Sequence, residues 1–338
     1  MRCSVIVLCL LLGACNLDKD KAVPKLEDVK FKLAFTCAYE KDHVPALPPE
    51  ADVLFKYARY LERENLLKRD VQVNAEIARL YRIAAANGHW KANVNLQLGL
   101  TADRFEGLMS EVLDLNDALV KQNIPAGYYH MGHFLEKGTG YDQDHELALR
   151  YFRKSADMGS PEGQYFVAEK LAPINIAPNV AKQMWRCAAE QGHAEAAESL
   201  ATDLHVEKNY ADASVAYQLA VKAGSSMAAS VLQGSFSAPK TEDSLDYLGQ
   251  EKDDERVQRY KIIGKFLSDY YYLKPTMDDI DEIVPLPPAP LPKWDGKIKW
   301  LTEYEANIAP TKPDEVLITK LAQFKGLDPK TGLTLVQK

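Results

Sequence analysis

Little in this sequence supports covalent or metal chemistry. Five cysteines occur in 338 residues, at 3, 9, 15, 37 and 187, too few for a disulfide framework. No Gly-x-Ser-x-Gly elbow is present for a serine hydrolase. No glycine-rich loop runs into a Lys-Ser/Thr pair; Gly326 to Gly332 is too short and lies in the tail. Basic excess is missing too: 41 Lys+Arg stand against 48 Asp+Glu, a net charge of −7, so there is no cationic stripe for phosphates and nucleic acid is excluded as the main partner. A mean hydropathy of −0.30 excludes a polytopic membrane protein. What is there is ordinary globular composition, with 46% apolar residues.

The start of the chain sets the compartment. Arg2 precedes an eight-residue apolar run, Val5 to Leu12, which suits a signal peptide and is far too short to span a bilayer. Leu12-Gly13-Ala14-Cys15 follows and resembles a bacterial lipobox, in which cleavage exposes a cysteine that is then acylated. A plain signal peptide with an incidental cysteine is the bland alternative. The resemblance implies residues 1–14 as signal peptide, Cys15 as the lipid attachment site, and a periplasmic protein anchored to a membrane. Asn16 after the cysteine favours the outer membrane. Cys37 and Cys187 then remain in an oxidising compartment, either as one disulfide or as two buried thiols, and spacing cannot choose between these.

Residues 15–50 are mostly polar, contain Pro45, Pro48 and Pro49, and read as a tether; Phe35-Thr36-Cys37-Ala38 has enough apolar character to dock on the body. From Ala51 internal repeats emerge. Gly88, Asn123, Gly159, Gly192 and Gly224 recur at spacings of 35, 36, 33 and 32. Four positions later stand small residues: Ala92, Gly127, Gly163, Ala196 and Ala228. Eight and twelve later the residues are all apolar, so the three positions share one side of a helix. Seven positions before the loop stand Tyr81, Phe152, Trp185 and Tyr217; the second copy lacks this aromatic. Each unit reads as two antiparallel helices with a tight turn. The expected fold is all-α: a right-handed α-solenoid of roughly five units over residues 51–240. Further helix is expected in 241–284, ending before Pro275. A proline-rich extended tail over 285–338 follows, with a short helix near Asp314 to Phe324. Trp294, Trp300 and Tyr304 favour a tail packed on the solenoid or capping it.

Two segments carry a resemblance. Gly138-Thr139-Gly140-Tyr141-Asp142-Gln143-Asp144, followed by Ala148, Tyr151 to Ala156 and Gly159, resembles a Sel-like repeat, the tetratricopeptide-related helix pair; Trp185 to His193 is similar to the same half-motif. The whole chain, with Pro285-Leu286-Pro287-Pro288 and Gly326 to Gly332, looks like Sel-like-repeat lipoproteins with a C-terminal domain of unknown function. Similar lipoproteins occur as immunity proteins beside type VI secretion phospholipase effectors. The resemblance therefore implies a protein partner, a cognate phospholipase toxin, neutralised by occlusion. A periplasmic adaptor for envelope assembly or signalling is the alternative.

No enzyme and no cofactor is expected. His130 and His133 lie three apart on a helix, but no third ligand completes a metal site. Acidic pairs such as Asp253-Asp254 and Asp278-Asp279 read as solvated surface. Candidate partner contacts are Trp90, Tyr128, Tyr129, His133 and Tyr165, and the run Tyr270-Tyr271-Tyr272, each weighed against simple packing between repeats.

Overall fold

The computed structural model describes residues 34–173, 176–237, 241–242, 244 and 246–335. The signal segment 1–14 and the lipid site Cys15 lie outside these residues. Eleven helices follow one another from the first repeat: α1 (Pro49–Asn65), α2 (Val71–Ala86), α3 (Trp90–Thr101), α4 (Met109–Lys121), α5 (Pro125–Lys137), α6 (His145–Asp157), α7 (Pro161–Leu171), α8 (Pro178–Glu190), α9 (Ala194–Val206), α10 (Tyr210–Lys222) and α11 (Ser226–Ser235). Then come α12 (Asp254–Asp269), the single turn α13 (Ile280–Ile283), α14 (Lys299–Ala306) and α15 (Glu315–Phe324). Each helix from α1 to α12 packs on the next, which makes an all-α solenoid of tandem antiparallel helix pairs.

The loop residues explain the tight turns. Gly88, Asn123, Gly159, Gly192 and Gly224 all have positive φ, from 56° at Asn123 to 105° at Gly224. The next residue is the N-cap of the following helix. Four of these five caps accept a backbone N–H: His89 from Ala92, Ser160 from Gly163, His193 from Ala196 and Ser225 from Ala228. His89 and His193 are thus capping residues of the repeat. The fifth position is Ile124, which caps nothing, and α5 instead starts on Pro125.

The small position four residues after the loop is where helices cross closely. A Cβ on Gly163 would meet Ser155 Oγ at 2.6 Å and Ala156 N at 2.9 Å; one on Gly127 would meet Leu119 Cβ at 2.6 Å. Leu96, Met131, Leu200 and Leu232, one turn on, are buried, and Val167 in the same register is half-buried. Where the unit begins differs from the sequence reading. The most extensive pairings are α1/α2, α5/α6, α7/α8, α9/α10 and α11/α12. The tight turns therefore lie between units, and within α5/α6 the connection is the longer loop 138–144. Short turns dominate the sequence pattern because glycine marks them; the area buried across the longer loop leaves no such mark.

The segment read as a tether is seated on the body from residue 34 to residue 48. Cys37 is disulfide-bonded to Cys187 of α8, Cα–Cα 5.8 Å. Arg153 donates to Ala34 O at 2.9 Å, Gln164 to Ala38 O at 2.8 Å, and Glu40 N to Gln191 Oε1 at 2.8 Å. Val44 and Leu47 then cover Trp90, Leu119 and Ile124, and Pro48 reaches Gly88. The segment is a strap across successive tight turns. A Cβ on Gly159 would strike the Tyr39 backbone at 2.4 Å, so glycine there serves both the turn and the strap.

The proline-rich run 285–292 contains no helix and turns at Pro287-Pro288, whose peptide is cis. Two buried arginines of α12 hold it by its carbonyls. Arg256 Nη2 donates to Ala289 O at 2.7 Å, and Arg259 donates to Ile283 O at 2.5 Å and Pro292 O at 2.9 Å. Proline offers no N–H but keeps its C=O, so an acceptor-rich strand suits guanidinium donors. Helix α15 then packs on α1 and α2, with Asp314 as its N-cap.

Candidate partner-binding face

Counting from each loop residue, positions four, eight and twelve face the core. Positions three, six and ten lie on the opposite side of the first helices. They are Lys91, Val94 and Leu98 on α3; Ala126, Tyr129 and His133 on α5; Glu162, Tyr165 and Glu169 on α7; Glu195, Glu198 and Thr202 on α9; and Met227, Ser230 and Gly234 on α11. None of these residues is buried, and Leu98, Glu195 and Met227 are 50%, 66% and 45% exposed. Along the row the chemistry changes from apolar on α3, through aromatic on α5, to acidic on α7 and α9.

Contacts join these helices into one surface. Tyr129 lies edge-on to His133 at 4.7 Å and to Phe166 of α7 at 6.3 Å; His133 lies 5.4 Å from Phe166. Phe152 of α6 underlies all three rings, 4.0 Å from Phe166. Tyr165 lies tilted at 4.7 Å against His193, the cap of α9. Ser199 Oγ donates to Glu169 at 3.4 Å, as does Trp185 Nε1 at 2.9 Å. Among the described residues, Glu162, Glu169, Glu195 and Glu198 form no ion pair with lysine or arginine, whereas Glu62, Glu76 and Glu111 on α1, α2 and α4 each hold an arginine. Glu162, Glu169 and Glu195 are exposed, and the half-buried Glu198 accepts from Ser225 Oγ.

The ionisable groups take fixed states there. Burial, then Glu162 and Glu136, pushes the Tyr129 hydroxyl up to about 12. Burial, then Glu169, Glu195 and Glu198, raises Tyr165. Burial lowers His133 and His193 below the ordinary imidazole value, although nearby glutamates oppose it. His130 falls furthest, to about 4, through burial and then His133; its Nδ1 lies 3.1 Å from Gln97 Oε1. The face thus sets aromatic and imidazole rings beside glutamate side chains.

The residues singled out from sequence separate into two groups. Tyr129, His133 and Tyr165 come together on the face just described. Trp90 and Tyr128 do not: at 8% and 2% exposure they sit in the interior, Trp90 beneath the strap and Tyr128 against Tyr151. Val44 and Leu47 of the strap cover Trp90, and Tyr128 donates to Asn123 at 2.9 Å. Tyr270 is half-buried against Phe266, Trp300 and Tyr304, while Tyr271 is 75% exposed and Tyr272 36%. The sequence reading overlooked Phe166, His193 and the four glutamates. The signal was available: counting three, six and ten from the loop residue picks out the glutamates by the same register that reveals the core.

Among the described residues no group of three or more His, Cys, Asp or Glu is arranged to hold a metal ion, and no helix is long and apolar enough to cross a membrane. A cleft of about 620 Å³ beside the α5–α6 loop is lined by Tyr141, Asp142, Asp144 and leucines, with no nucleophile beside a base.

Fold and face together define a solenoid of Sel1-type helix pairs. The Sel1 repeat matches residues 125–160 and 173–193, and a domain of unknown function (DUF6396) matches residues 228–335. The structure is similar to that of immunity protein PA5088 from Pseudomonas aeruginosa, at 27% identity and a TM-score of 0.61, covering 76% of this chain and 95% of that one. It is also similar to immunity protein Pa5087 (26%, TM-score 0.57) and to PA5086 (26%, TM-score 0.58), both from Pseudomonas aeruginosa, each over 76% of this chain and 96% of theirs. Curated proteins give no match.

Proposed function

We propose that this chain is an immunity protein: it binds an antibacterial effector delivered by type VI secretion, a phospholipase, and neutralises it by occlusion. The observation that carries this reading is the likeness to immunity protein PA5088 across 95% of that protein's length. The chain would wait in the periplasm, held by lipid on Cys15 to a membrane, the outer one by the Asn16 argument. Anchoring there concentrates it where a lipase must act.

The contact surface would be the face of α5, α7 and α9, with Tyr129, His133 and Tyr165 as anchors and the unpaired glutamates as a rim. Aromatic anchors inside a polar rim are what a tight protein contact requires. A partner bearing lysine or arginine would complement it, through the carboxylates and by stacking a guanidinium on Tyr165. Tyr271 and Tyr272 offer a second, separate contact. Covering the lipase site, or its approach to lipid, suffices for protection; no reaction is needed.

The test is genetic and biochemical. A strain lacking this gene should be killed by the effector encoded beside it, and the two proteins should co-purify from solubilised envelope. Full survival of the deletion strain would sink the reading. Recovery of envelope-assembly or regulatory proteins in place of a toxin would support the adaptor alternative.

A further inference from the structure

The two ends of the solenoid are joined by side chains far apart in sequence. At the C-terminal end, Phe266 and Tyr270 of α12 pack on Trp300 of α14, at 5.6 and 6.2 Å. Trp300 stacks on Tyr304 at 5.3 Å, one turn along the same helix. Tyr304 carries the Arg63 guanidinium of α1 on its ring at 5.6 Å, and Arg63 donates to Asn307 at 2.7 Å. One short helix, α14, thus touches both α12 and α1 through side chains one turn apart.

Beyond this bridge the chain seats α15 on the first repeat. Ile318, Leu321, Ala322 and Leu327 share one apolar cluster with Leu54, Ala58, Ile77 and Leu80 of α1 and α2. Glu315 pairs with Arg79 at 2.6 Å and Lys320 with Glu50 at 2.8 Å. Arg79 also donates to Pro329 O at 2.5 Å. The first pair of a solenoid has no preceding unit to cover it and needs a cap; here the cap comes from the opposite end of the chain.

We propose that residues 285–335 are a clasp, which shuts the solenoid into a ring of fixed curvature and whose last part, 315–335, undocks from α1 and α2 as a unit while 285–306 stays on α12. Separability follows from how the segment is built. Helix α14 has no buried residue and α15 has three, whereas α10 in the solenoid interior has seven. Of the ion pairs that hold α15, Lys320–Glu50 is exposed on both sides, where such a pair contributes little, while Glu315, 70% exposed, meets an Arg79 that is only 11% exposed. The connection 307–314 contains no helix and includes Pro310 and Pro313. Opening the clasp gives up the apolar cluster with α1 and α2, the Arg79 bonds and the Asn87 bond to Leu321 O, but leaves the pairings between repeats intact. Closed, it holds the face of the first helices in one geometry, so a partner does not have to select it from a flexing spring.

The experiment uses the purified full chain and needs no partner, so its outcome is independent of the immunity reading. The variant Ile318→Asn/Leu321→Asn should be cleaved within 307–314 at least tenfold faster than the wild type. It should also have a larger radius of gyration by X-ray scattering, with its helical circular dichroism retained. Lys320→Glu should raise cleavage two- to threefold, and Lys320→Glu/Glu50→Lys should return it to the wild-type rate. Unchanged cleavage and radius in the asparagine variant would overturn the clasp. So would loss of helicity together with the tail, because the segment would then be part of one indivisible core. Failure of the charge swap to restore the rate would remove the Lys320–Glu50 contact from the closure.

Discussion

Tyr165 shows how much one side chain on this molecule depends on its neighbours. Its ring lies tilted at 4.7 Å against a capping histidine, and burial, then three glutamates, raise its hydroxyl pKa. If the face of α5, α7 and α9 holds the partner, Tyr165→Ala should weaken binding about tenfold, or about 1.4 kcal/mol, and Glu195→Lys/Glu198→Lys should weaken it further. Calorimetry with the co-purified partner checks both. His130 supplies a pH effect. Its folded value, about 4, lies below the ordinary imidazole value, so the native state holds it neutral. That contribution is complete above the unfolded pKa of about 6.5 and is lost as pH falls through about 4. Stability to urea should therefore decline over that window, and His130→Gln should flatten the decline. Gly163→Ala places a Cβ against Ser155 and the Ala156 backbone and should cost about 1–3 kcal/mol in the same assay.

At the scale of elements the strap is the informative case. Glu40 has its pKa pushed up to about 7 by burial and then by Glu162, so docking favours its protonated form. For a raised carboxyl the contribution is complete below the unfolded value, about 4.3, and is lost as pH rises through about 7. Hydrogen exchange, corrected for its intrinsic pH dependence, should show residues 38–48 better protected at pH 5 than at pH 8, and Glu40→Gln should abolish the difference. The Cys37–Cys187 bond closes a loop of 150 residues. Cys37→Ser should lower stability by roughly 2–4 kcal/mol and release the strap first.

For the whole molecule, the arrangement of charge matters more than its total. A net charge of −7 is modest, but the unpaired glutamates of α7 and α9 stand together. Association with a cationic partner should slow as salt rises from 50 to 500 mM, because screening shortens the reach of the field. Stopped-flow rates measure this; a salt-independent rate would mean the glutamates do not steer the encounter. Only the assembled solenoid creates this patch, since each helix pair contributes two or three of its side chains.

The repeat was legible in the sequence because it rests on local physics. A tight turn needs a residue tolerant of positive φ, a close crossing needs a small side chain, and a buried stripe needs apolar residues every four positions; each leaves its mark at fixed spacing from Gly88 to Leu232. The short helix expected near Asp314 to Phe324 is there as α15, whereas the face that brings Tyr129, His133 and Tyr165 together was not legible. Trp90 and Tyr128 could not be told from surface aromatics, because a ring looks the same in sequence whether it packs inward or outward. Pairings such as Cys37 with Cys187, Arg63 with Asn307 and Ile318 with Leu54 were decided by tertiary structure alone. They depend on where a curved stack of helices brings distant segments, and curvature accumulates over every crossing angle in the chain.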